Sequence, residues 1–435
     1  MNKAVRGLCV ITVFALMFTC VYAKEYTLKE CIDIALENNR DLKQRENSLK
    51  EANEKLKQIK GTLFPKASIG GTAKYGSSTD DDVSVAVSAN LSYDFYDGGQ
   101  RTISIKISEL AYHQAEENYL GSKQTVIYDV ASAYIGILKS ESALAIARRS
   151  VDYNEEQINL IQARINSGDA AQSDLYPVRS AFANSRVDML TAQNNARTSK
   201  LSLFSVLGVG ILDDFEVLPI HLFDNITLPD REEFYKLSVE NRRDVKIAEI
   251  TIDTAKMSLR STRLSVAPVP TLTGKVSQSL YDYNTVNLSK DTTYELSLGL
   301  NWDFFTGGTN TAKVKEKEIS IDSVEIAKEE LLDTVGYDID RGYLDIISSE
   351  ERITAAKEGL SAARVNYEAQ NEKYKNGLAT VLDLQNAEIS LAAAETNLLN
   401  AQNDYFLGYL SLYYTAGLIK ESLDNDIFLK LENNE

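Results

Sequence analysis

The chain repeats itself once, and this internal duplication limits the possible folds more than any other feature of the sequence. Residues 91–99 match residues 300–308 at an offset of 209, and the match continues without a gap through the rest of the repeat. Upstream, residues 37–41 match residues 240–244 at an offset of 203. Similarity at a fixed offset indicates two copies of one structural unit, each with the same order of elements.

The duplication and its flanks predict how the chain is divided. Repeat 1 spans 24–208 and repeat 2 spans 236–418, with a connector or equatorial segment at 209–235 and a C-terminal equatorial tail at 419–435. Within each repeat we expect a helix, then a β-hairpin, then a long helical hairpin. The β-hairpins are placed at 66–96 and 270–305, and the helical hairpins at 98–208 and 307–417.

Residues 1–23 have the pattern of a secretory signal peptide. Lys3 and Arg6 lead into an apolar run at 8–18 that is too short to span a bilayer, and small residues precede the cleavage point. A lipidated Cys20 is the alternative, which the bulky residues before it disfavour. Cleavage removes two positive charges from a net charge of −17 and leaves −19, which argues against a nucleic-acid partner. No later window is expected to form a membrane helix, so any membrane contact has to use strands.

Two strand segments alternate apolar and polar residues over an unusual length. Residues 83–95 and 294–304 keep period two, with apolar side chains on one face and mainly Ser, Asn or Asp on the other. Strands in soluble domains average about 5–6 residues, whereas a tilted strand that crosses a bilayer needs about 9–11. The predicted lipid-facing strand residues are Val85, Val87, Leu91, Tyr93, Leu296, Leu298, Leu300 and Trp302.

Each long strand has a weaker alternating partner upstream, so the chain supplies four candidate membrane strands. The links at 76–82 and 282–292 are polar and acidic, and we expect them to be exposed loops. A soluble hairpin packed on a core is the alternative, which the polar second face disfavours. Bacterial barrels begin at eight strands, and an open sheet edge in lipid leaves backbone groups unsatisfied. The protein therefore has to oligomerise.

Long helices are predicted after each strand pair. The stretch from Gly99 to Ser167 has no proline, and apolar residues recur there every seven positions with small residues on a second register. Sustained heptads indicate coiled-coil packing. The small residues let neighbouring helices approach closely, which favours a curved wall of many helices. The shorter helices, expected at about 27–61 and 231–264, can stack end to end with the returning helices alongside the long ones.

This order of elements resembles the TolC-like outer-membrane efflux protein family. The Phe64-Pro65 and Asp97-Gly98-Gly99 junctions and the turns at 168–174 and 377–383 carry the resemblance. It implies a mixed α/β membrane protein, in which three protomers share a 12-stranded outer-membrane β-barrel and a 12-helix periplasmic α-barrel. It further implies a passive exit duct for efflux or type I secretion. The expected partners are a second and third copy, outer-membrane lipid, a periplasmic adaptor protein and an inner-membrane transporter of the RND, ABC or MFS type.

The resemblance also assigns roles to the turns at the tips of the helical hairpins. The implied periplasmic gate residues are Asp174, Asp383, Asn386 and Tyr374. The implied adaptor-docking residues are Gly168, Asp169, Gly377, Leu378 and Ala379. Ala379 stands where the family's latch uses an arginine, which puts a salt-bridged latch in doubt. Thr380 and Asp383 also form a capping box, so Asp383 has two open roles, cap alone or cap and gate.

The remaining chemistry of the sequence is sparse, and we expect no catalytic residue, no cofactor and no metal. His113 and His221 have no ligand partners nearby in sequence, and the paired glycines lack the lysine of a phosphate loop. Two other classes of protein stay open. One is a soluble exported coiled-coil scaffold or adhesin with a small β cap, and the other is a self-sufficient porin. The sequence does not indicate the cargo.

Overall fold

A computed structural model describes residues 24–78, 80–211, 215–219, 228–282 and 292–419 of the 435-residue chain. The signal peptide and Cys20 of the sequence analysis lie outside the described residues, as do His221, most of the loop expected at 282–292 and nearly all of the C-terminal tail. In chain order the elements are β1 (Lys24–Tyr26), α1 (Leu28–Asn38), α2 (Arg40–Gly61), β2 (Lys66–Ser78), β3 (Asp80–Asp94), α3 (Gln100–Ser167), α4 (Leu175–Leu207), β4 (Phe215–Val217), α5 (Arg231–Asn241), α6 (Arg243–Leu264), β5 (Val269–Asp282), β6 (Thr292–Asn301), α7 (Thr309–Lys375) and α8 (Val381–Thr415).

Four long strands form one antiparallel sheet in the order β2-β3-β5-β6. The β3–β5 pairing joins the hairpins of the two repeats, and its register places Leu91 opposite Gly274, which in turn lies opposite Leu296. The apolar residues of neighbouring strands therefore share one face, as period two requires. Within the described residues β2 and β6 each pair on one side only, so each presents an open edge.

The first strand pair extends further than the polar sequence indicated. The ladder continues through Gly76↔Asp82 to Ser78↔Asp80, so the expectation of an exposed loop over 76–82 is wrong. A hairpin ladder is held by backbone hydrogen bonds, which polar side chains do not interrupt, and it therefore continues up to the turn. At the other end, β6 ends at Asn301, so Trp302 lies beyond the strand. The Trp302 indole donates a 3.1 Å hydrogen bond to the carbonyl oxygen of Val266.

Two antiparallel helical hairpins make up most of the protein. Helix α3 has 68 residues and α7 has 67, and α4 and α8 return alongside them. The strand-to-helix junction before α3 is closed by Asp97, whose carboxylate accepts hydrogen bonds from the amides of Gly99 (3.0 Å) and Arg101 (2.7 Å). Near the tips the lateral order is α4-α3-α8-α7, and near the sheet it is α2-α3-α6-α7.

The shorter helices expected at about 27–61 and 231–264 are present, but each is broken once, at Asn39 and at Arg242. Asn39 adopts an extended conformation, and its side chain accepts a 3.0 Å hydrogen bond from the Leu42 amide while it donates a 2.8 Å bond to the Val206 carbonyl. The break lets Gly208 approach closely, since a methyl group built on Gly208 would lie 2.5 Å from the Asn38 carbonyl oxygen. Repeat 2 has an equivalent close approach, since a methyl group built on Gly417 would lie 3.0 Å from the Asn241 carbonyl oxygen.

Three hydrophobic clusters hold the helices together. The largest, which we call the equatorial core, joins β1, α1, α3, α4, β4 and α8, and a smaller one joins α5, α7 and α8. The third, the tip core, lies between the two helical hairpins and contains Ile161, Leu175, Val178, Tyr374 and Leu384. Burial in the equatorial core raises the pKa of the Cys31 thiol to about 12, so this cysteine is protonated and unreactive at neutral pH.

Helix α3 has a window that, by length and composition alone, could cross a membrane. The window covers 18 residues with a mean hydropathy of 1.3. No membrane helix is expected from the sequence after the signal peptide, and length with composition does not by itself make this window one. α3 supplies Val130, Tyr134 and Ile137 to the equatorial core, each at most 1% exposed, and a core helix meets the same criterion as a membrane span.

The close approach at Gly208 gives a stability test. Gly208 has φ +70° and no room for a Cβ, whereas Gly168 has φ +86° and open space around it. Gly208→Ala should lower the free energy of unfolding by about 3 kcal/mol or more, because a left-handed alanine costs ~1–2 kcal/mol and the clash adds to it. Gly168→Ala should lower the free energy of unfolding only by the ~1–2 kcal/mol of a left-handed alanine. Thermal unfolding of the detergent-solubilised protein, followed by circular dichroism, compares them, and equal losses would contradict the close approach.

Candidate functional site

The candidate site is the pair of turns at the tips of the helical hairpins, at the opposite end of α3 and α7 from the sheet. α3 ends at Ser167, Gly168 follows in a left-handed conformation, and the Asp169 amide donates a 2.8 Å hydrogen bond back to the Arg164 carbonyl. α7 ends in the same way, with Gly377 at φ +71° and the Leu378 amide 2.8 Å from the Lys373 carbonyl. Both turns are thus satisfied Schellman-type ends, which fix the directions of α4 and α8.

The five predicted docking residues lie together on these turns, but they differ in exposure. Gly168, Asp169 and Gly377 are exposed, and Leu378 is 78% exposed even though it is a large apolar side chain. Ala379 is half-buried against the tip core. An exposed leucine at the end of a hairpin is therefore one apolar contact point that the tips offer, together with Tyr176 (65% exposed) and Leu382 (54% exposed) beside the same turns.

Asp383 forms the capping box that the sequence predicted. Its carboxylate accepts hydrogen bonds from the Thr380 hydroxyl (2.6 Å) and the Thr380 amide (2.9 Å), while the Asp383 amide donates to the Thr380 hydroxyl oxygen (3.2 Å). These hydrogen bonds from Thr380 hold the pKa of Asp383 below its usual range. The carboxylate is exposed, so it is a charge fixed in position at the surface of the tip.

Asp174 has a related position but weaker support. Its carboxylate accepts a 3.3 Å hydrogen bond from the amide of Ala171, which has no hydroxyl to complete a capping box. The segment Gln172–Asp174 is a 3₁₀ turn before α4, and the Asp174 side chain is half-buried. The two tip carboxylates are therefore not equivalent, because Thr380 is replaced by Ala171 in repeat 1.

The other two predicted gate residues lie in different surroundings. Asn386 is exposed on the first turns of α8. Tyr374 is only 3% exposed, packs in the tip core, and has the Arg164 guanidinium 5.0 Å from its ring centroid. In the described part of the chain its buried hydroxyl has no hydrogen-bond partner. Tyr374 thus links the two hairpins of one protomer, whereas Asp383 and Asn386 lie at the surface.

Above the tip core the two hairpins meet through polar side chains that the sequence analysis missed. This polar seam consists of Ser150, Tyr153, Gln157, Gln385 and Glu388. The Ser150 hydroxyl donates a short hydrogen bond to the Glu388 carboxylate across the α3–α8 contact. Burial raises the pKa of Glu388, which the nearby charge of Glu395 raises further and the Ser150 hydrogen bond opposes. The only sequence signal for Glu388 was its position four residues after the buried Leu384.

On the sheet, the predicted lipid-facing residues of β6 are strongly exposed in the single protomer. Leu296, Leu298 and Leu300 are 78%, 69% and 70% exposed, and Leu91 of β3 is 52% exposed. Val87 is also exposed, whereas Val85 and Tyr93 are half-buried. This face cannot remain in water without a large cost, because apolar burial contributes roughly 25 cal/mol per Å².

A sheet of lipid-length strands with open edges, joined to hairpins roughly 100 Å long at ~1.5 Å per residue, defines a membrane channel with a long helical extension. The family model described as "Outer membrane efflux protein" matches residues 31–209 and 234–418, so the chain belongs to that family. The sequence-based identification of the family is thereby confirmed.

Individual relatives agree with the family over nearly the whole chain. The outer membrane protein TolC of Vibrio cholerae is 23% identical, covering 96% of this chain and 96% of its own. The toluene efflux pump outer membrane protein TtgC of Pseudomonas putida is 23% identical, covering 90% and 82%. The crystal structure of the Campylobacter jejuni CmeC outer membrane channel has a TM-score of 0.78 at 16% identity, covering 94% of this chain and 90% of that one.

The protein is therefore an outer-membrane efflux channel with most of its mass in the periplasm. Three protomers join their sheets into one 12-stranded barrel and their helices into one tunnel, which closes the open edges of β2 and β6. The predicted fold class, function and location are confirmed. The scaffold or adhesin alternative fits the family less well, and TtgC and CmeC are named as an efflux pump protein and a channel rather than as enzymes.

Glu388 gives a pH test of the polar seam. Because burial raises its pKa in the folded state, its stabilising contribution is present at low pH and is lost as the pH rises through the folded pKa. Glu388→Gln mimics the protonated form, so it should unfold at a higher temperature than the native chain at pH 7.5, with a smaller difference at pH 4.5. Glu395→Gln is the control. It loses the 2.7 Å ion pair with Arg149 and should be less stable at pH 7.5. A destabilised Glu388→Gln would contradict the prediction.

Proposed function

We propose that this channel is the passive exit duct of a tripartite export assembly, closed at its tips in the resting state and engaged there by a periplasmic adaptor protein. The observation that carries the proposal is the chemistry of the tips. Each protomer presents an exposed Leu378 and a capped, ionised Asp383 at the end of the tunnel farthest from the sheet. The adaptor would connect the duct to an inner-membrane transporter of the RND, ABC or MFS type.

Asp383 is the residue we assign to the gate. Three copies around one axis form a ring of negative charge, which concentrates cations at a narrow entrance. The hydrogen bonds from Thr380 keep the pKa of Asp383 low, so the ring remains charged over the neutral and mildly acidic range. Asp174 and Asn386 would line the same entrance. Tyr374 would act from inside the tip core, by holding the second hairpin against the first.

The gate can be separated from the cap by two substitutions. Asp383→Ala removes both the carboxylate and the cap, whereas Thr380→Ala weakens the cap and keeps the carboxylate. In planar bilayers we expect Asp383→Ala to raise conductance and to abolish blockade by a trivalent lanthanide cation added on the periplasmic side. Thr380→Ala should remain blocked at neutral pH.

The pH dependence of the blockade supplies a second measurement on the same variants. Loss of the Thr380 hydrogen bond should let the pKa of Asp383 rise, so blockade of Thr380→Ala should disappear at a higher pH than blockade of the native channel. If Asp383→Ala leaves conductance and blockade unchanged, Asp383 is a helix cap only and the gate assignment is wrong.

Adaptor docking is tested at Leu378. A photo-crosslinking amino acid at position 378 should form an adduct in cells with a periplasmic adaptor protein, identified by mass spectrometry, because the 78% exposed side chain lies at the tip. Position 211 is the matched control, since Ile211 is 71% exposed but lies next to the equatorial core. Adducts of the same adaptor from both positions, or from position 211 alone, would refute docking at the tip.

The cargo is assigned to the transporter rather than to the duct. One relative is named for toluene efflux and another for an outer membrane protein without a stated cargo, although both cover nearly all of this fold. Among the described residues the polar strand face has mainly Ser, Thr and Asn, and its charges are of both signs, as in Lys275 and Glu295, which lie opposite each other. Such a lining favours general passage, so we place the choice of cargo at the inner membrane.

A further inference from the structure

The helices at the two lateral edges of a protomer correspond to helices that already pack together inside it. In the tip half, the lateral order α4-α3-α8-α7 leaves α4 and α7 at the edges. The offset of 209 relates α3 to α7 and α4 to α8, so an α7–α4 contact between protomers would repeat the α3–α8 contact within one. On α3, Ile135 is 4% exposed, whereas its equivalent on α7, Leu344, is 68% exposed. The outer face of α7 thus exposes apolar surface, whereas the equivalent face of α3 is buried inside the protomer.

An ion pair recurs at equivalent positions of the two repeats, which checks that the repeat offsets relate contacts as well as residues. Lys60 of α2 lies 3.5 Å from Glu109 of α3, and Arg263 of α6 lies 2.7 Å from Glu318 of α7. These pairs are related by the offsets of 203 and 209. Equivalent helix pairs therefore place equivalent charges opposite each other.

The α3–α8 contact contains one bidentate ion pair between the hairpins. The Arg149 guanidinium donates to the two carboxylate oxygens of Glu395 at 2.7 and 3.2 Å. At the offset of 209, Arg149 corresponds to Glu358 on α7, and Glu395 corresponds to Arg186 on α4. Both charges are reversed. Glu358 and Arg186 are exposed, and the ion pairs found in the described part of the protomer do not include them.

We propose that Glu358 of each protomer forms an ion pair with Arg186 of the partner subunit, and that the reversed polarity selects the correct order of hairpins around the tunnel. If the free edge of α7 packed instead on the side of α8 that normally faces α3, in a partner subunit, Glu358 would face Glu395 of the partner subunit. If the side of α3 that normally faces α8 packed on the free edge of α4 in a partner subunit, Arg149 would face Arg186 of the partner subunit. Like charges opposite each other disfavour both arrangements, whereas the α7–α4 contact pairs opposite charges.

A second reversal lies one heptad away on the same faces. Glu388 of α8 corresponds to Arg179 of α4, so α8 carries two acids and α4 carries two bases at the same spacing of seven residues. On α3 the hydroxyl of Ser150 contacts Glu388, and its equivalent on α7 is Gly359, with open space around it. The α7–α4 contact therefore has room for a longer side chain at this level, and Arg179 supplies one.

Charge reversal tests the pair in the full-length channel. Glu358→Arg and Arg186→Glu should each lower the temperature at which the detergent-solubilised trimer dissociates on native gels, and the double variant should recover most of the loss. The stability lost in Arg149→Glu or in Glu395→Arg should not be restored by adding Glu358→Arg or Arg186→Glu. If the trimer of the double variant dissociates at no higher temperature than the trimer of the less stable single variant, the proposed pair is wrong, even where the double variant still forms trimers.

Cross-linking tests the geometry independently of stability. Glu358→Cys and Arg186→Cys in one chain, treated with a short bismaleimide, should give covalent dimers and trimers on denaturing gels. Within a protomer the two sites are separated by α3 and α8, at ~8–10 Å per helix, so the short reagent cannot join them. Glu351→Cys with Arg186→Cys is the control, one heptad or ~10 Å farther along α7. Buried Cys31 remains in both. Equal yields from the two pairs would overturn the proposal.

Discussion

The rest of this structure depends on the open edges of a four-stranded sheet. In lipid, every unpaired backbone amide and carbonyl along β2 and β6 costs free energy that no side chain can return. The edges are satisfied only when other copies of the chain add their strands. Assembly is therefore a condition for membrane insertion, and the helices below the sheet have to accept the same threefold arrangement.

The duplication lets one helix-packing solution serve both inside and between protomers. α3 is enclosed by helices of its own chain, whereas its equivalent α7 leaves large apolar side chains such as Leu344 and Tyr337 exposed. What is a core contact in repeat 1 becomes a subunit contact in repeat 2. The two repeats can therefore keep the same backbone, while their edge residues diverge according to whether the neighbour is covalently linked.

Periodicity predicted the parts of this fold in which one pattern extends over many residues. Heptads between Gly99 and Ser167 predicted α3, and period two predicted the strands. The break at Asn39 was not predictable, because it depends on Val206 and Gly208, which are distant in sequence. The individual contacts of Tyr374, which lies on the heptad register of large residues, were not predictable for the same reason. Its contacts are Arg164 and the tip core, which only the packing of two hairpins brings together.

At the tips the two repeats have diverged in the residues that we propose for the gate. The Asp383 carboxylate accepts hydrogen bonds from the amide and the hydroxyl of Thr380 at 2.9 and 2.6 Å, whereas the Asp174 carboxylate accepts longer ones, both 3.3 Å, from the Ala171 amide and the Ser173 hydroxyl. The second hairpin therefore begins with a rigidly placed charge, and the first hairpin begins with a looser 3₁₀ turn. Between them lies a polar seam in which Glu388 is held only by a hydroxyl and burial favours its protonated form. The polar seam and the small tip core together hold the hairpins less firmly than the equatorial core does, so we infer that the two hairpins separate near the tips while the rest of the tunnel wall stays packed.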